Sequence, residues 1–277
     1  MMKQIQHFIG ETDPYLFDLK HLTIKESTME YTVPSDSCLV FSDFYKITQI
    51  ASSLGSLALA KTMDVTEKTY FLGEKLRIRK IDNRSLDKGL KYCARSIEYS
   101  SRKGKSLVDI LDEHNQLAYT FELDYFIFSE DSFYRLFKNY AITHHEPSTS
   151  TSLTVEKVEI EEIESSFFRI VIQPFSKEDC AGHFNQYPIV AAVFVVKQLL
   201  RAIEQFFEVK GIGLEQKKLN VDSLEMFLNV AVPIDTVLHS KIYYHQIAKE
   251  SYVFVCPVCD DTTEYGNYLI TVNYSFL

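Results

Sequence analysis

One order of elements occurs twice in this chain, and that repetition limits its folding choices more than any single motif does. In the first half a short strand pattern, Met29–Val33, leads through a turn at Pro34–Ser37 into a helical pattern from Asp43 to about Met63. Phe44, Ile47, Ala51, Leu54 and Ala58 recur there at three- and four-residue steps, the spacing that lines one face of a helix. Ser42 is the expected N-cap. Strand patterns follow at Tyr70–Ile81, Leu90–Tyr99, Ser106–Asp112 and Leu117–Phe128. The last two flank Glu113–Gln116, a hairpin turn in which Asn115 tolerates positive φ. The second half runs Phe167–Gln173, a turn region at Pro174–Asp179, a helix from about Ile189 to Phe207, then strands at Ser223–Val232, Thr236–Ile247, Ser251–Cys259 and Tyr268–Phe276. Strand, long helix and four further strands, twice over, predict an α+β chain of two domains. Each would wrap an antiparallel sheet around one central helix.

The seam is expected at 141–154, AITHHEPSTSTSLT, where five Ser/Thr residues follow Pro147 and little can be buried. The domains would then be 1–140 and 155–277, a division that suits 277 residues at about 130 per domain. The second helix is apolar on every side over 189–196, so it should lie inside protein. Its polar residues, Lys197, Gln198, Arg201, Glu204 and Gln205, form a single stripe left exposed or turned toward the partner domain. An isolated unit of this kind has an open sheet edge. Two in one chain can close each other as a pseudo-dimer, and a further homodimer remains open to such a unit.

Composition narrows the function class. The chain carries 20 Phe and 17 Tyr but no Trp, a bias toward pleated surfaces. A formal charge of −9 argues against a nucleic-acid partner, which requires a dominant basic surface to displace counterions. Five cysteines, an odd and scattered set at 38, 93, 180, 256 and 259, fit a reducing cytosol better than a disulfide scaffold. No run approaches the roughly 20 apolar residues of a membrane span, and MMKQIQHFIGETDPY lacks the features of a signal peptide. The expected location is cytoplasmic.

The sharpest local signal is Asp179-Cys180-Ala181-Gly182-His183-Phe184-Asn185-Gln186-Tyr187-Pro188-Ile189, which leads straight into the second helix. Gly182-His183-Phe184, with Pro188-Ile189 five and six residues after the histidine, resembles the segment Gly-His-Phe-Pro-x-x-Pro-Ile of β-hydroxyacyl carrier-protein dehydratases. The same residues, taken as Asp-x-x-Gly-His-x-Asn, resemble 4-hydroxybenzoyl-CoA-type thioesterases. Both families have the hot-dog fold, and the tandem layout is similar to the A-factor synthase type of double hot-dog. The layout covers nearly the whole chain; the motif covers about eleven residues of the second repeat only.

That resemblance implies an acyl thioester as substrate, carried by acyl carrier protein or coenzyme A, with no cofactor and no metal. On the dehydratase pattern His183 is the base, a neutral imidazole suited to pH 7, acting on a 3-hydroxyacyl thioester. The amides near Ala191 and Ala192, at the helix N-terminus, would polarise the thioester oxygen, with Gly182, Phe184 and Pro188 shaping the pocket. The family's Pro after His-Phe is Asn185 here, its Pro-Gly pair is Ala191-Ala192, and its helix glutamate falls on Lys197. Matching the first helix through Gln49 puts Tyr45 at the acid's position in the partner domain. The second reading is thioester hydrolysis, with Asp179 as nucleophile or base and His183 and Asn185 orienting substrate or water. A third is a non-catalytic acyl- or carrier-binding protein, since fold does not fix function.

Other signals are weaker. Cys256-Pro257-Val258-Cys259 has ligand spacing, but zinc needs four ligands and no second pair appears. His144-His145 falls in the seam, and Gly211-Ile212-Gly213 lacks the strand–helix setting of a phosphate loop. Residues 75–95 hold Lys75, Arg77, Arg79, Lys80, Arg84, Lys88, Lys91 and Arg95 against only Asp82 and Asp87. Around Arg77, Arg79, Lys80 and Arg84 this positive zone is suited to docking an acidic carrier protein.

Overall fold

The computed structural model describes residues 9–33, 41–81, 89–141, 158–184, 186–212 and 217–276. The first half comprises strands β1 (Leu22–Ile24) and β2 (Met29–Thr32), helix α1 (Phe44–Thr62), strands β3 (Thr69–Lys80), β4 (Lys91–Tyr99), β5 (Lys103–Leu111) and β6 (Leu117–Ser129), and helix α2 (Glu130–Phe137). The second comprises β7 (Val158–Ile163), β8 (Phe167–Ile172), β9 (Ile189–Val190), helix α3 (Ala192–Val209), β10 (Lys217–Leu228), β11 (Val232–Pro233), β12 (Leu238–Ala248), β13 (Ser251–Cys259) and β14 (Glu264–Phe276). Nearly all of the expected seam lies outside the described residues, as do Arg84, Asn185, the Pro34–Ser37 turn and the His144-His145 pair.

Twelve strands make one antiparallel sheet in the order β1-β2-β4-β5-β6-β3-β10-β14-β13-β12-β8-β7. From its middle outward the two halves match strand for strand, six and six. They join at β3 and β10, paired from Arg79↔Ser223 to Lys75↔Phe227, so each closes the edge that the other would have left open. Tyr119 reaches across this seam, its hydroxyl donating to the Val221 carbonyl at 2.6 Å. The β5–β6 hairpin turns as expected, with Asn115 at φ 57°.

Each half wraps its sheet around its own long helix. In α1 the predicted face Phe44, Ile47, Ala51, Leu54 and Ala58 is buried, and so are Ser53, Gly55, Ser56, Leu57, Leu59 and Ala60. Small residues allow that enclosure: a Cβ on Gly55 would stand 2.5 Å from Ser106 Oγ and 2.6 Å from Tyr125 Oη. Ser42 is not the cap. A 3₁₀ turn, Phe41–Asp43, precedes the helix, Asp43 holds the cap position without a side-chain bond, and Ser42 is buried in the turn.

Helix α3 buries Val195, Val196, Leu199, Leu200, Ile203, Phe206 and Phe207, each large apolar side chain worth about 2 kcal/mol of transfer free energy. It starts at Ala192, not near Ile189 as the apolar run suggested. Proline and two β-branched residues favour an extended chain, and Ile189–Val190 form a small ribbon with Val232–Pro233. The polar stripe turns partly toward the other half: Lys197 Nζ lies 5.2 Å from the Tyr45 ring centre, and Gln198 is buried. Besides the β9–β11 ribbon, β1, β7 and α2 were not foreseen. Helix α2 docks Phe133 and Phe137 onto a second apolar cluster with Tyr70, Phe184, Tyr187 and Ile189.

Candidate functional site

The Gly-His-Phe segment is a strained turn clamped by two others. Gly182 has φ +85°, and a Cβ there would meet Thr12 O at 2.4 Å and Tyr15 N at 2.5 Å; only glycine fits. Thr12 N donates to Gly182 O at 2.8 Å, and His183 N donates to Cys180 O at 3.0 Å. Phe184 also has positive φ, 51°, an arrangement that a non-glycine residue keeps only when its surroundings enforce it. Here they do: Tyr70 and Phe133, mutually stacked at 3.9 Å, both hold the Phe184 ring edge-on at 5.3 Å.

This geometry fixes the imidazole. His183 stacks on Phe184 at 4.2 Å and lies 4.8 Å from the Tyr15 ring. Its Nδ1 is 3.2 Å from the Ile189 carbonyl. A carbonyl only accepts, so Nδ1 carries the proton and Nε2 keeps its lone pair. Burial pushes the His183 pKa down to about 4, against the opposing pull of the Ile189 carbonyl. The ring is neutral at pH 7.

Sequence patterning missed the carboxyl that stands opposite. Glu11 pairs with His183 as a one-residue antiparallel bridge, a geometry that sends both side chains to one side. Glu11 is 6% exposed, and its Oε2 has no hydrogen-bond partner among the described residues. Burial raises its pKa to about 7, with the Ser53 hydroxyl pulling the other way. The only cue in the sequence was an acid one residue past Gly10 in an otherwise unpatterned N-terminal segment.

Glu11, His183 and Tyr15 wall one end of a cavity of about 120 Å³ between the two halves, with Val190, Ala192 and Val193 beside them. The first amides of α3 have no partner within the helix, and Ala191 at the cap offers no side chain to them. They form a positively polarised wall next to an acid–imidazole pair. Phe71, Leu76, Leu123 and Met226 also line the cavity and give it an apolar wall suited to an acyl chain.

The structure gathers some predicted site residues and separates others. His183 and Ala192 face the cavity, Gly182 and Phe184 shape the turn behind them, and Pro188 and Ala191 are buried just ahead of α3. Asp179 is buried away from the cavity walls; its Oδ2 accepts from Ser176 N at 2.7 Å. Gln49 Nε2 donates to Tyr15 O at 2.6 Å and so braces the segment carrying Glu11. Tyr45 and Lys197 face each other outside the cavity, and Lys197 is depressed by burial and by Arg201 and Lys46. Arg77 and Arg79 lie on β3, two residues apart and thus on one face; Arg77 Nε is 3.4 Å from Glu225 Oε2. Lys80 closes the strand near Asp222. Cys256 points into the core, its thiol pushed up by burial, while Cys259 bonds to His239 O.

No protein-family model matches this chain, and no curated protein sequence does. Solved structures do. They include a candidate oleoyl thioesterase from Lactobacillus plantarum at 11% identity, covering 89% of this chain and 95% of its own, with a TM-score of 0.59. An acyl-CoA thioesterase II from Mycobacterium marinum matches at 8% identity over 92% of this chain and 96% of its own, TM-score 0.56. A 12:0-ACP thioesterase from Umbellularia californica matches at 9% identity over 92% and 100%, TM-score 0.53. Identities this low carry fold alone, and the fold is that of two hot-dog units in one chain, packed as a pseudo-dimer.

Proposed function

We propose that this chain hydrolyses an acyl thioester carried on coenzyme A or an acyl carrier protein. The observation that carries this reading is the Glu11–His183 pair, set in an apolar cavity beside the uncapped N-terminus of α3. In outline, the Ala192 and Val193 amides take the thioester oxygen, where negative charge grows during attack. Glu11, ionised in part at neutral pH, removes a proton from the attacking water, and His183 Nε2 orients that water. The C–S bond breaks, and the proton held by Glu11 passes to the departing sulfur, giving a free acid and a thiol. Three fold neighbours spanning both halves are named as thioesterases, which supports hydrolysis over the dehydration first expected from the Gly-His-Phe segment. On this reading Asp179 shapes the turn, and Arg77 and Arg79 on one face of β3, with Lys80 at the strand's end, receive an acidic carrier.

Dehydration of a 3-hydroxyacyl thioester stays the second reading because of one observation. An imidazole and a protonatable carboxyl face the same space, as base and acid for removing a proton and a hydroxyl. A panel of acyl-CoA and acyl-carrier substrates separates the two. Thiol release detected by a disulfide dye is the expected result, lost in Glu11→Gln; a mass loss of water with the thioester intact would transfer the assignment to dehydration.

A further inference from the structure

We infer that substrate reaches this site through a gap in the sheet between β3 and β10, and that Lys75 at its lip meets the phosphate of a phosphopantetheine arm. The inference rests on the thioester reading and adds where, and by which end, the substrate is held.

The β3–β10 ladder stops at Lys75↔Phe227, although β3 continues back to Thr69 and β10 on to Leu228. At that point β3 carries a bulge, with Gly73 paired to Tyr125, Lys75 to Asp124 and Glu74 extra between them. A bulge bends its strand and ends regular pairing. The two strands therefore part just past the seam. Gly73 brings no side chain to the opening, and a Cβ placed there would meet only Leu228 Cδ1, at 3.6 Å.

The opening leads to the site. Gly73, Lys75, Leu228 and Asn229 line the same cavity as Glu11 and His183. Lys75, Asp124, Tyr125, Leu228 and Asn229 also line a depression of about 530 Å³ outside it. The inner cavity and the outer depression thus share one wall at these residues, and the inferred route crosses it between β3 and β10.

The lip has one cation poised for an anion. Lys103 is paired with Glu74 at 2.8 Å and Lys105 with Glu122 at 3.2 Å. Lys75 Nζ instead lies 4.4 Å from the Phe227 ring centre, with no ion pair among the described residues. Asp124 faces it from the neighbouring strand, which moderates its pull on an anion. A ligand that matches has an apolar acyl end, a narrow flexible middle and a phosphate at the far end. Acyl phosphopantetheine is that ligand, whether part of coenzyme A or attached to a carrier protein.

Binding can be read without turnover by calorimetry with S-hexyl thioethers of CoA, phosphopantetheine and pantetheine, and with an S-hexyl holo-carrier protein. The wild type should bind both phosphorylated small ligands about tenfold more tightly than S-hexyl-pantetheine, roughly 1.4 kcal/mol. Lys75→Ala should erase that difference while leaving the pantetheine ligand unchanged. Gly73→Leu, which fills the gap, should weaken all ligands at least tenfold; if it does not fold, Leu228→Phe narrows the same gap from the other wall. Tighter binding of the carrier than of the CoA ligand would mark the carrier as the source of the arm, and the reverse would mark CoA. Unchanged binding in a folded gap variant, an equal loss of every ligand in Lys75→Ala, or no binding by the wild type would overturn the route. The expected binding pattern without hydrolysis of any thioester would sink the hydrolase reading alone.

Discussion

Glu11 and His183 stand opposite each other in a one-residue antiparallel bridge, and the fold keeps both side chains uncharged over a common pH window. In water an imidazole is the stronger base by about two pH units. Here burial raises Glu11 to about 7 and lowers His183 to about 4, so between these values both groups are uncharged. Desolvation disfavours each charged form, and the pair enters the cavity edge without bringing net charge into it. If Glu11 is the base, kcat/KM should climb as pH passes about 7 and then level off. His183, already neutral, should add no inflection above pH 5. Glu11→Gln should lower kcat at least a hundredfold; a pH profile flat from 6 to 8 in the wild type would remove Glu11 from that role.

The same pair predicts an unusual stability profile. Glu11 is raised on folding, from 4.5 to about 7, so the folded state binds more protons and stability falls as pH rises across that window. His183 is lowered, from 6.5 to about 4, so its contribution is present above 6.5 and is lost as pH falls toward 4. Each amounts to about 3 kcal/mol over its window, and between pH 4.5 and 6.5 the two cancel. The pair's net contribution to urea unfolding should therefore be nearly independent of pH over that range. Glu11→Gln should expose the histidine's slope, gaining stability from pH 4 to 6.5, and His183→Gln should expose the opposite slope up to pH 7. Parallel profiles in all three proteins would contradict these shifts.

Most of the architecture was legible because burial follows period. Strands Ser251–Cys259 and Leu117–Ser129 and helix Phe44–Thr62 fell close to their expected bounds, each bearing an uninterrupted 2.0 or 3.6 repeat. Where one apolar run holds two elements, period fails: Ile189–Val190 read as helix, and after the strand Leu117–Phe128 the helix Glu130–Phe137 received no assignment. A cap signal was present in the second case, since Ser129 accepts from Ser132 N and acids follow it. The site was half legible. His183 and the turn before α3 stood out through local spacing, whereas Glu11 joins them by a contact between distant parts of the sequence, which no local pattern encodes.

The turn should tolerate no side chain at Gly182. A Cβ would collide with two backbone atoms of the 12–15 segment at a φ that already costs an L-residue roughly 1–2 kcal/mol. Gly182→Ala should lower the urea midpoint by the equivalent of at least about 2 kcal/mol and detach the segment that carries Glu11. Hydrogen exchange at Thr12, whose amide bonds to Gly182, should rise with it. An unchanged midpoint would mean the N-terminal segment is not anchored there.

Phe133 tests whether the aromatic cluster positions the imidazole. Its ring is fully buried against Tyr70, Phe184 and Tyr187, so Phe133→Ala should cost about 3–5 kcal/mol. Phe133→Leu refills most of that space without the flat face, and should recover much of the stability. If the cluster holds Phe184 at its positive φ, the leucine variant should still show a lowered kcat at unchanged KM. Full activity in that variant would reduce the cluster to packing.

Asp179 and Glu11 give opposite expectations for one conservative change. Both are buried carboxyls near the turn, but Asp179 spends an oxygen on the Ser176 amide, and its own amide donates to Ser176 Oγ. An asparagine keeps an acceptor for Ser176 N, so Asp179→Asn should cost only about 1 kcal/mol and leave hydrolysis within a few-fold of wild type. Glu11→Gln likewise keeps shape and loses only the ability to take up a proton, yet it should abolish turnover. Measured side by side on one acyl-CoA substrate, the two variants assign the base: loss of activity in Asp179→Asn with retention in Glu11→Gln would move the chemistry to the aspartate and leave the buried glutamate a structural acid.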